Sequence, residues 1–259
     1  MGTFEFDGEK YKKASRHQKE WGNKLISSLQ LKGDETILDL GCGDGILTER
    51  LSLLVPNGYV LGIDASAGMI RTAKQNVHAN LRFEETDINK MNFENEFNIV
   101  FSNAALHWIK DHKRLLENTY TALKSGGVTA WNFAADGTCK TFYSVMREKI
   151  KSDSYKAYFT DFEWPWFMPS KTEYENLTKD IGFSKIVITE ENADRYFADA
   201  EEMIKWIDQP SIVPFIKCVP DDAKISFRNE VIDEMLKRTL QSDGTCFETF
   251  RRLNVVLTK

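Results

Sequence analysis

Along the first half of the chain, short apolar runs alternate with stretches whose apolar positions recur every three or four residues. Thr36–Leu40, Tyr59–Asp64 ("YVLGID"), Leu81–Thr86, Phe97–Ser102 ("FNIVFS") and Val128–Phe133 have the length and β-branched or aromatic content of buried strands. Between them, helical spacing predicts helices over Ile46–Leu54, Ser66–Asn80 and His112–Leu123. In the second of these, Met69, Ile70, Ala73 and Val77 share a face. A further helix is predicted within Tyr11–Leu29, with regular spacing from Trp21 onward. Gly33-Asp34, Pro56-Asn57-Gly58 and Lys124–Gly127 punctuate the series as turns. Strands alternating with helices in this way predict right-handed βαβ crossovers, hence an α/β doubly wound sheet with helices on both faces.

After Ala134 the texture changes. Thr138–Lys151 reads as a helix, and "DFEWPWFMPS" then places four aromatic residues and two prolines in one ten-residue stretch. Ser170–Ile181 is a predicted helix with Ser170 as N-cap and Gly182 as its stop. Phe183–Thr189 alternates as a sixth strand, Ala200–Asp208 and Asp221–Leu240 are helical, and "FRRLNVVLTK" closes the chain as a seventh strand. The expected organisation is a core over residues 1–135. Residues 136–259 supply a mostly helical cap plus the last two strands of the same sheet.

Composition narrows the function more than the fold. The 259 residues carry a formal net charge of −5, which argues against a nucleic-acid partner. No apolar run reaches the ~20 residues of a membrane span, and "MGTFEFDGEKYKK" has no secretory apolar core. Cysteines at 42, 139, 218 and 246 form no CxxC pair, so reduced thiols and a cytoplasmic setting are expected. The four histidines do not cluster, and no metal is expected.

The chemistry concentrates in "TILDLGCGDGILTER". A strand entering a helix through Gly41, Gly43 and Gly45 exposes helix N-terminal N–H groups and lets backbone approach a ligand closely. This is a cofactor seat. The spacing is DxGxGxG rather than the GxGxxG of dinucleotide sites. Asp39 and Asp44 beside the loop would repel a pyrophosphate but suit a ligand bearing an ammonium and a sulfonium, as S-adenosylmethionine (SAM) does. Asp64, ending the second strand, is placed to accept from ribose hydroxyls, which nicotinamide cofactors and SAM share. Asp87-Ile88 ends the third strand, where the carboxylate can take an adenine N–H while Ile88 packs on the ring. "SNAALHW" ends the fourth. Ligands of open α/β sheets bind beyond these carboxyl ends.

"LDLGCGDG", "GIDASAGMI", "TDI" and "FSNAALHWIKDH" together resemble the class I SAM-dependent methyltransferases. The last block, with "MIKWI" and "RRLNVVL", looks most like the trans-aconitate 2-methyltransferase family and relatives that methylate small carboxylic acids. The resemblance spans roughly residues 30 to 135 and is thin beyond. It implies a Rossmann-like seven-stranded sheet whose last strand is antiparallel, matching the seven strands counted above. It also implies that Asp39, Gly41, Cys42 and Gly43 hold the methionine end of SAM, and that Asp64 takes the ribose. Ala65 and Met69 would lie against the adenosine, and Asp87 and Ile88 against the adenine. Asn103 would lie near the sulfonium, with Tyr11 and Gln18 in a segment that lids the cofactor. His107 and Trp108 would border the acceptor as the candidate catalytic residues.

A carboxylate acceptor is already ionised near pH 7 and needs no base, whereas an amine or hydroxyl would want one. The expected methyl position offers His107 but no acid–base pair; that absence fits a small carboxylic acid as the acceptor, although His107 could serve a phenol or an amine. Trp131, Arg195, Trp206 and Arg251 are the candidate acceptor-binding residues; Arg252 is a further arginine suited to a carboxylate. Phenols, amines, a carrier-bound acid and a non-catalytic SAM-binding role remain open alternatives.

Overall fold

The computed structural model describes residues 16–259. In chain order the elements are α1 (Arg16–Ser27), β1 (Thr36–Leu40), α2 (Ile46–Leu54), β2 (Tyr59–Asp64), α3 (Ala67–Ala73), β3 (Leu81–Glu85), β4 (Phe97–Asn103), α4 (His112–Ala122) and β5 (Leu123–Ala134). There follow α5 (Lys140–Lys149), α6 (Lys171–Thr178), β6 (Lys185–Asn192), β7 (Arg195–Phe197), α7 (Ala200–Trp206), α8 (Val213–Ile216), α9 (Asp221–Thr239), β8 (Cys246–Glu248) and β9 (Arg251–Thr258).

Seven strands form one sheet in the order β3-β2-β1-β4-β5-β9-β6. β1 to β5 pair in parallel, and β9 pairs antiparallel with β5 through Trp131↔Val255 and Phe133↔Leu253. The final strand of the chain is therefore the antiparallel one. Side chains on a strand alternate between faces, and both faces are apolar here. Ile37, Val60, Ile99 and Phe101 pack with Ile26 of α1, Leu51 of α2 and Ile70 of α3. Leu38, Leu40, Leu61, Ile63 and Val100 pack with Leu115 and Leu116 of α4 and Tyr174 of α6. Burial on both faces is why these strands read as continuous apolar runs rather than alternating ones.

The chain divides into two compact units. The larger holds residues up to Asp136, Trp166–Glu191 and Arg252–Lys259, and so carries the sheet. The smaller holds Gly137–Pro165 and Asn192–Arg251. Its core is aromatic, with Phe142 edge-on to Trp206 and Phe215 at 5.7 and 6.2 Å. There the buried carboxylate of Glu248 accepts from the Thr141 and Phe142 amides at the start of α5 (3.2 and 2.9 Å). That capping answers the orphan N–H groups of a helix whose own N-cap, Cys139, makes no side-chain cap.

Two expectations change, and one feature is new. The helix expected over Ser66–Asn80 ends as α3 at Ala73, followed by a 3₁₀ turn to Asn76. Val77 is exposed, and Asn80 turns its amide to the Ser52 and Val55 carbonyls (2.9 and 3.0 Å) at the end of α2. The turn expected at Lys124–Gly127 belongs to β5, because the Gly126 amide donates to Lys259 O and the Lys259 amide to Gly127 O, both at 3.0 Å. The short antiparallel pair β7–β8 has no counterpart in the sequence reading.

Candidate functional site

The seat at the end of β1 is built from backbone. The Gly41 and Cys42 amides both donate to Ile63 O of β2 (2.8 and 3.0 Å), drawing the loop across the strand ends. Gly41 and Gly43 adopt φ of +71° and +56°, where a side chain is strained. A Cβ on Gly41 would sit 2.3 Å from Ala105 Cβ; one on Gly43 would meet nothing within 4 Å. Packing and backbone together thus demand glycine at Gly41, whereas at Gly43 only the left-handed backbone does and the space in front of it is open. That space is a cavity of about 420 Å³, its mouth included, lined by the loop together with Gln18, Lys19, Asp39, Asp44 and Asn103.

Carboxylates organise the seat. Asp64 accepts from the Gly43 amide through Oδ2 (3.0 Å) and from the Ser66 amide through Oδ1 (2.8 Å), joining the glycine loop to the start of α3. Asp39 is buried and accepts from Thr48 Oγ1 at 2.7 Å. Burial above all, with the nearby Asp64 charge, raises its pKa to about 7 against the Thr48 hydrogen bond. Asp44 forms an ion pair with Lys19 of α1 at 3.2 Å. The Cys42 thiol is pushed well up by burial and by the Asp64 and Asp39 charges, so it stays protonated and is no nucleophile.

The ends of β3 and β4 carry the next expected residues. Asp87 caps the 3₁₀ turn Ile88–Lys90 by accepting from the Asn89 amide (2.9 Å); Ile88 and Met69 are buried core residues, and Ala65 is half-buried. Asn103 donates through Nδ2 to Gln18 O (2.8 Å). Gln18 Oε1, Asn103 Oδ1 and His107 Nδ1 are buried and lack hydrogen-bond partners among the described residues. Ala104 is held at φ +56°. The turn that follows carries His107 and Trp108, whose rings lie 5.7 Å apart. Burial first, then the Arg252 guanidinium and the His112 ring, depress the His107 pKa to about 3. The imidazole is neutral at pH 7 and a feeble proton acceptor.

Of the expected residues, Gln18, Asp39, Gly41, Cys42, Gly43 and Asn103 line the cavity. Tyr11 lies outside the described residues. Trp131 is wholly buried in the core of the larger unit. Arg195, Trp206 and Arg251 belong to the smaller unit. Arg251 is ion-paired with Asp194 and donates to Asn192 Oδ1 (2.8 Å); Trp206 sits among Phe142, Phe197 and Phe250; Arg195 lies over the Phe197 ring at 5.8 Å. Arg252, in the larger unit, is buried, stacks on Trp21 at 4.0 Å and donates to Asn132 Oδ1 and O. Sequence reasoning missed Lys19, Ala104 and Gly22. For Gly22 a signal existed in a glycine inside a helical pattern. A Cβ there would come within 2.2 Å of Leu47 and 3.1 Å of Asn103 Nδ2, so α1 presses directly on α2 and β4.

Comparison with known proteins agrees with this geometry. A methyltransferase-domain family model matches residues 37–127. Trans-aconitate 2-methyltransferase of Deinococcus radiodurans is 31% identical over 185 residues, covering 70% of each chain. The chain belongs to the class I SAM-dependent methyltransferases. Within that family it lies close to the trans-aconitate 2-methyltransferases. Malonyl-[acyl-carrier protein] O-methyltransferase 1 of Ilyobacter polytropus is also similar, 31% identical over 58% of this chain and 56% of its own. Phosphoethanolamine N-methyltransferase 2 of Haemonchus contortus, solved with S-adenosyl-L-methionine, shares the fold at a TM-score of 0.61 and 19% identity. The match covers 97% of this chain and 56% of that one.

The methyl donor of this methyltransferase is SAM, and the residues present suit it. The buried acceptors Gln18 Oε1 and Asn103 Oδ1 call for a donor such as the SAM ammonium. Asp39 and Asp44 flank the cavity, and the open face of Gly43 leaves room for close approach.

Proposed function

We propose that this methyltransferase methylates a carboxylate oxygen of a small organic acid, of the di- or tricarboxylic kind that trans-aconitate represents. The observation that carries the reading is the state of His107. An imidazole that burial keeps neutral and weakly basic is poorly suited to take a proton from an ammonium or a hydroxyl, whereas a carboxylate is already ionised at pH 7. Relatives named for trans-aconitate, in Deinococcus radiodurans and Variovorax paradoxus, and for the malonyl group support an acid acceptor.

When bound, SAM supplies a sulfonium methyl that a nucleophilic oxygen takes in a single displacement. The chain's own work is alignment and exclusion of water. In this reading the glycine loop and Asp39 hold the amino-acid end, and Asp64 receives the ribose hydroxyls. Asp87 faces the adenine, and Asn103 with Gln18 closes the methionine side. His107, neutral and with a buried ring nitrogen, orients the acceptor by hydrogen bonding rather than by proton abstraction.

The test is a parallel screen of purified protein with methyl-labelled SAM against di- and tricarboxylates, fatty acids, carrier-bound acids, phenols and amines. Label appearing as a base-labile methyl ester supports the reading. Label carried only by a phenol or an amine overturns it.

A further inference from the structure

One buried polar pair in the larger unit lies outside the lining of the glycine-loop cavity. His112 opens α4 and is 2% exposed. Its Nε2 lies 3.0 Å from Leu106 O, and its Nδ1 lies 3.0 Å from the Tyr174 hydroxyl. A carbonyl only accepts, so Nε2 carries the hydrogen; Nδ1 then offers its lone pair, and Tyr174 donates to it. The chain of bonds runs from Tyr174 through His112 to the carbonyl of Leu106, the first residue of the turn that carries His107 and Trp108.

The same turn is gripped from a second direction. The Phe167 amide donates to His107 O (2.8 Å), the Phe167 ring lies 4.7 Å from that of His112, and Trp166 lies 5.3 Å from Trp108. Tyr174 is itself fixed, because α6 begins with a reciprocal capping box between Ser170 and Glu173. A buried polar pair contributes little net stability compared with apolar replacements of the same shape. An ordinary core would serve packing equally well. What this pair adds is direction: it ends on one backbone carbonyl of the candidate acceptor turn.

We infer that Tyr174 and His112 are positioning residues that hold the Leu106–Trp108 turn, and through it the acceptor-facing His107 and Trp108, in one orientation. The inference rests on the reading that the acceptor borders that turn.

The experiment uses the full chain and whichever acceptor the wild-type protein methylates, so failure of the carboxylate reading leaves this test standing. Tyr174→Phe and His112→Leu are expected to raise the acceptor KM about tenfold, while SAM affinity by calorimetry stays within about twofold. His112→Gln, whose side-chain amide can still donate to Leu106 O, is expected to stay within about threefold of wild type. A KM that does not move, a parallel loss of SAM affinity, or equal failure of the Gln and Leu variants would overturn the inference. Independently of activity, ¹⁵N spectra of the wild type should show His112 protonated at Nε2 with Nδ1 accepting a hydrogen bond. Protonation at Nδ1 contradicts it even where a variant fails to fold.

Discussion

Gly41 and Gly43 stand two residues apart in the same loop, both in left-handed backbone, yet alanine at each should fail in a different way. At Gly41 the added methyl would overlap Ala105 Cβ at 2.3 Å, and neither atom belongs to a flexible side chain. The left-handed conformation costs ~1–2 kcal/mol for a residue with a Cβ, and overpacking adds ~1–3 kcal/mol. Gly41→Ala should therefore destabilise the fold by roughly 2–5 kcal/mol, a fall in Tm of about 5–15 °C for a chain of this size. At Gly43 only the backbone cost applies, because nothing lies within 4 Å. Its methyl would instead enter the cavity that the cofactor is read to fill. Gly43→Ala should lower Tm by a few degrees only, yet weaken SAM by about tenfold or more. Thermal melts without ligand and calorimetric titration with SAM separate the two effects. Wild-type SAM affinity in Gly43→Ala, or a wild-type melt in Gly41→Ala, would refute the reasoning.

Asp64→Ala removes the acceptor of the Gly43 and Ser66 amides as well as the proposed ribose partner, and should weaken SAM by about 2 kcal/mol in calorimetry. His107→Gln should lower kcat by less than about tenfold; a loss near 10³ in steady-state kinetics would make His107 a general base. The Asp39 carboxyl, raised chiefly by burial to about 7 from 3.8, keeps its proton in the folded chain between those pH values while the unfolded chain loses its own. Stability from this group is present below about pH 4 and lost as pH rises toward about 7. Urea melts should therefore show wild type losing ground to Asp39→Asn between pH 5 and pH 8, and a constant difference would contradict the burial argument.

The parallel core was legible because β1, β2 and β4 are buried on both faces, which makes each a short apolar run flanked by turn residues. The glycine loop was legible because its spacing and its acids are local in sequence. The limits of α3 were not, since Asn80 is recruited by carbonyls of another helix. Neither was the start of β5, where the paired partner of Gly126-Gly127 is Lys259, at the far end of the chain. Arginine as a residue type says nothing about its partner. Arg251 is answered by Asp194 in the smaller unit, while Arg252, its neighbour, is buried against Trp21 and Asn132 in the larger one. Likewise, no pattern announces that His112 and Tyr174, far apart in sequence, meet beside the Leu106–Trp108 turn.

The most direct measurement of the account is the pH dependence of kcat at saturating SAM with a dicarboxylic acid as acceptor. With His107 already neutral and the acceptor already ionised, the profile should be flat from about pH 6 to pH 9. A rate that climbs about tenfold per pH unit across part of that range would show a proton leaving in the rate-limiting step, and would contradict methyl transfer to a carboxylate without a base.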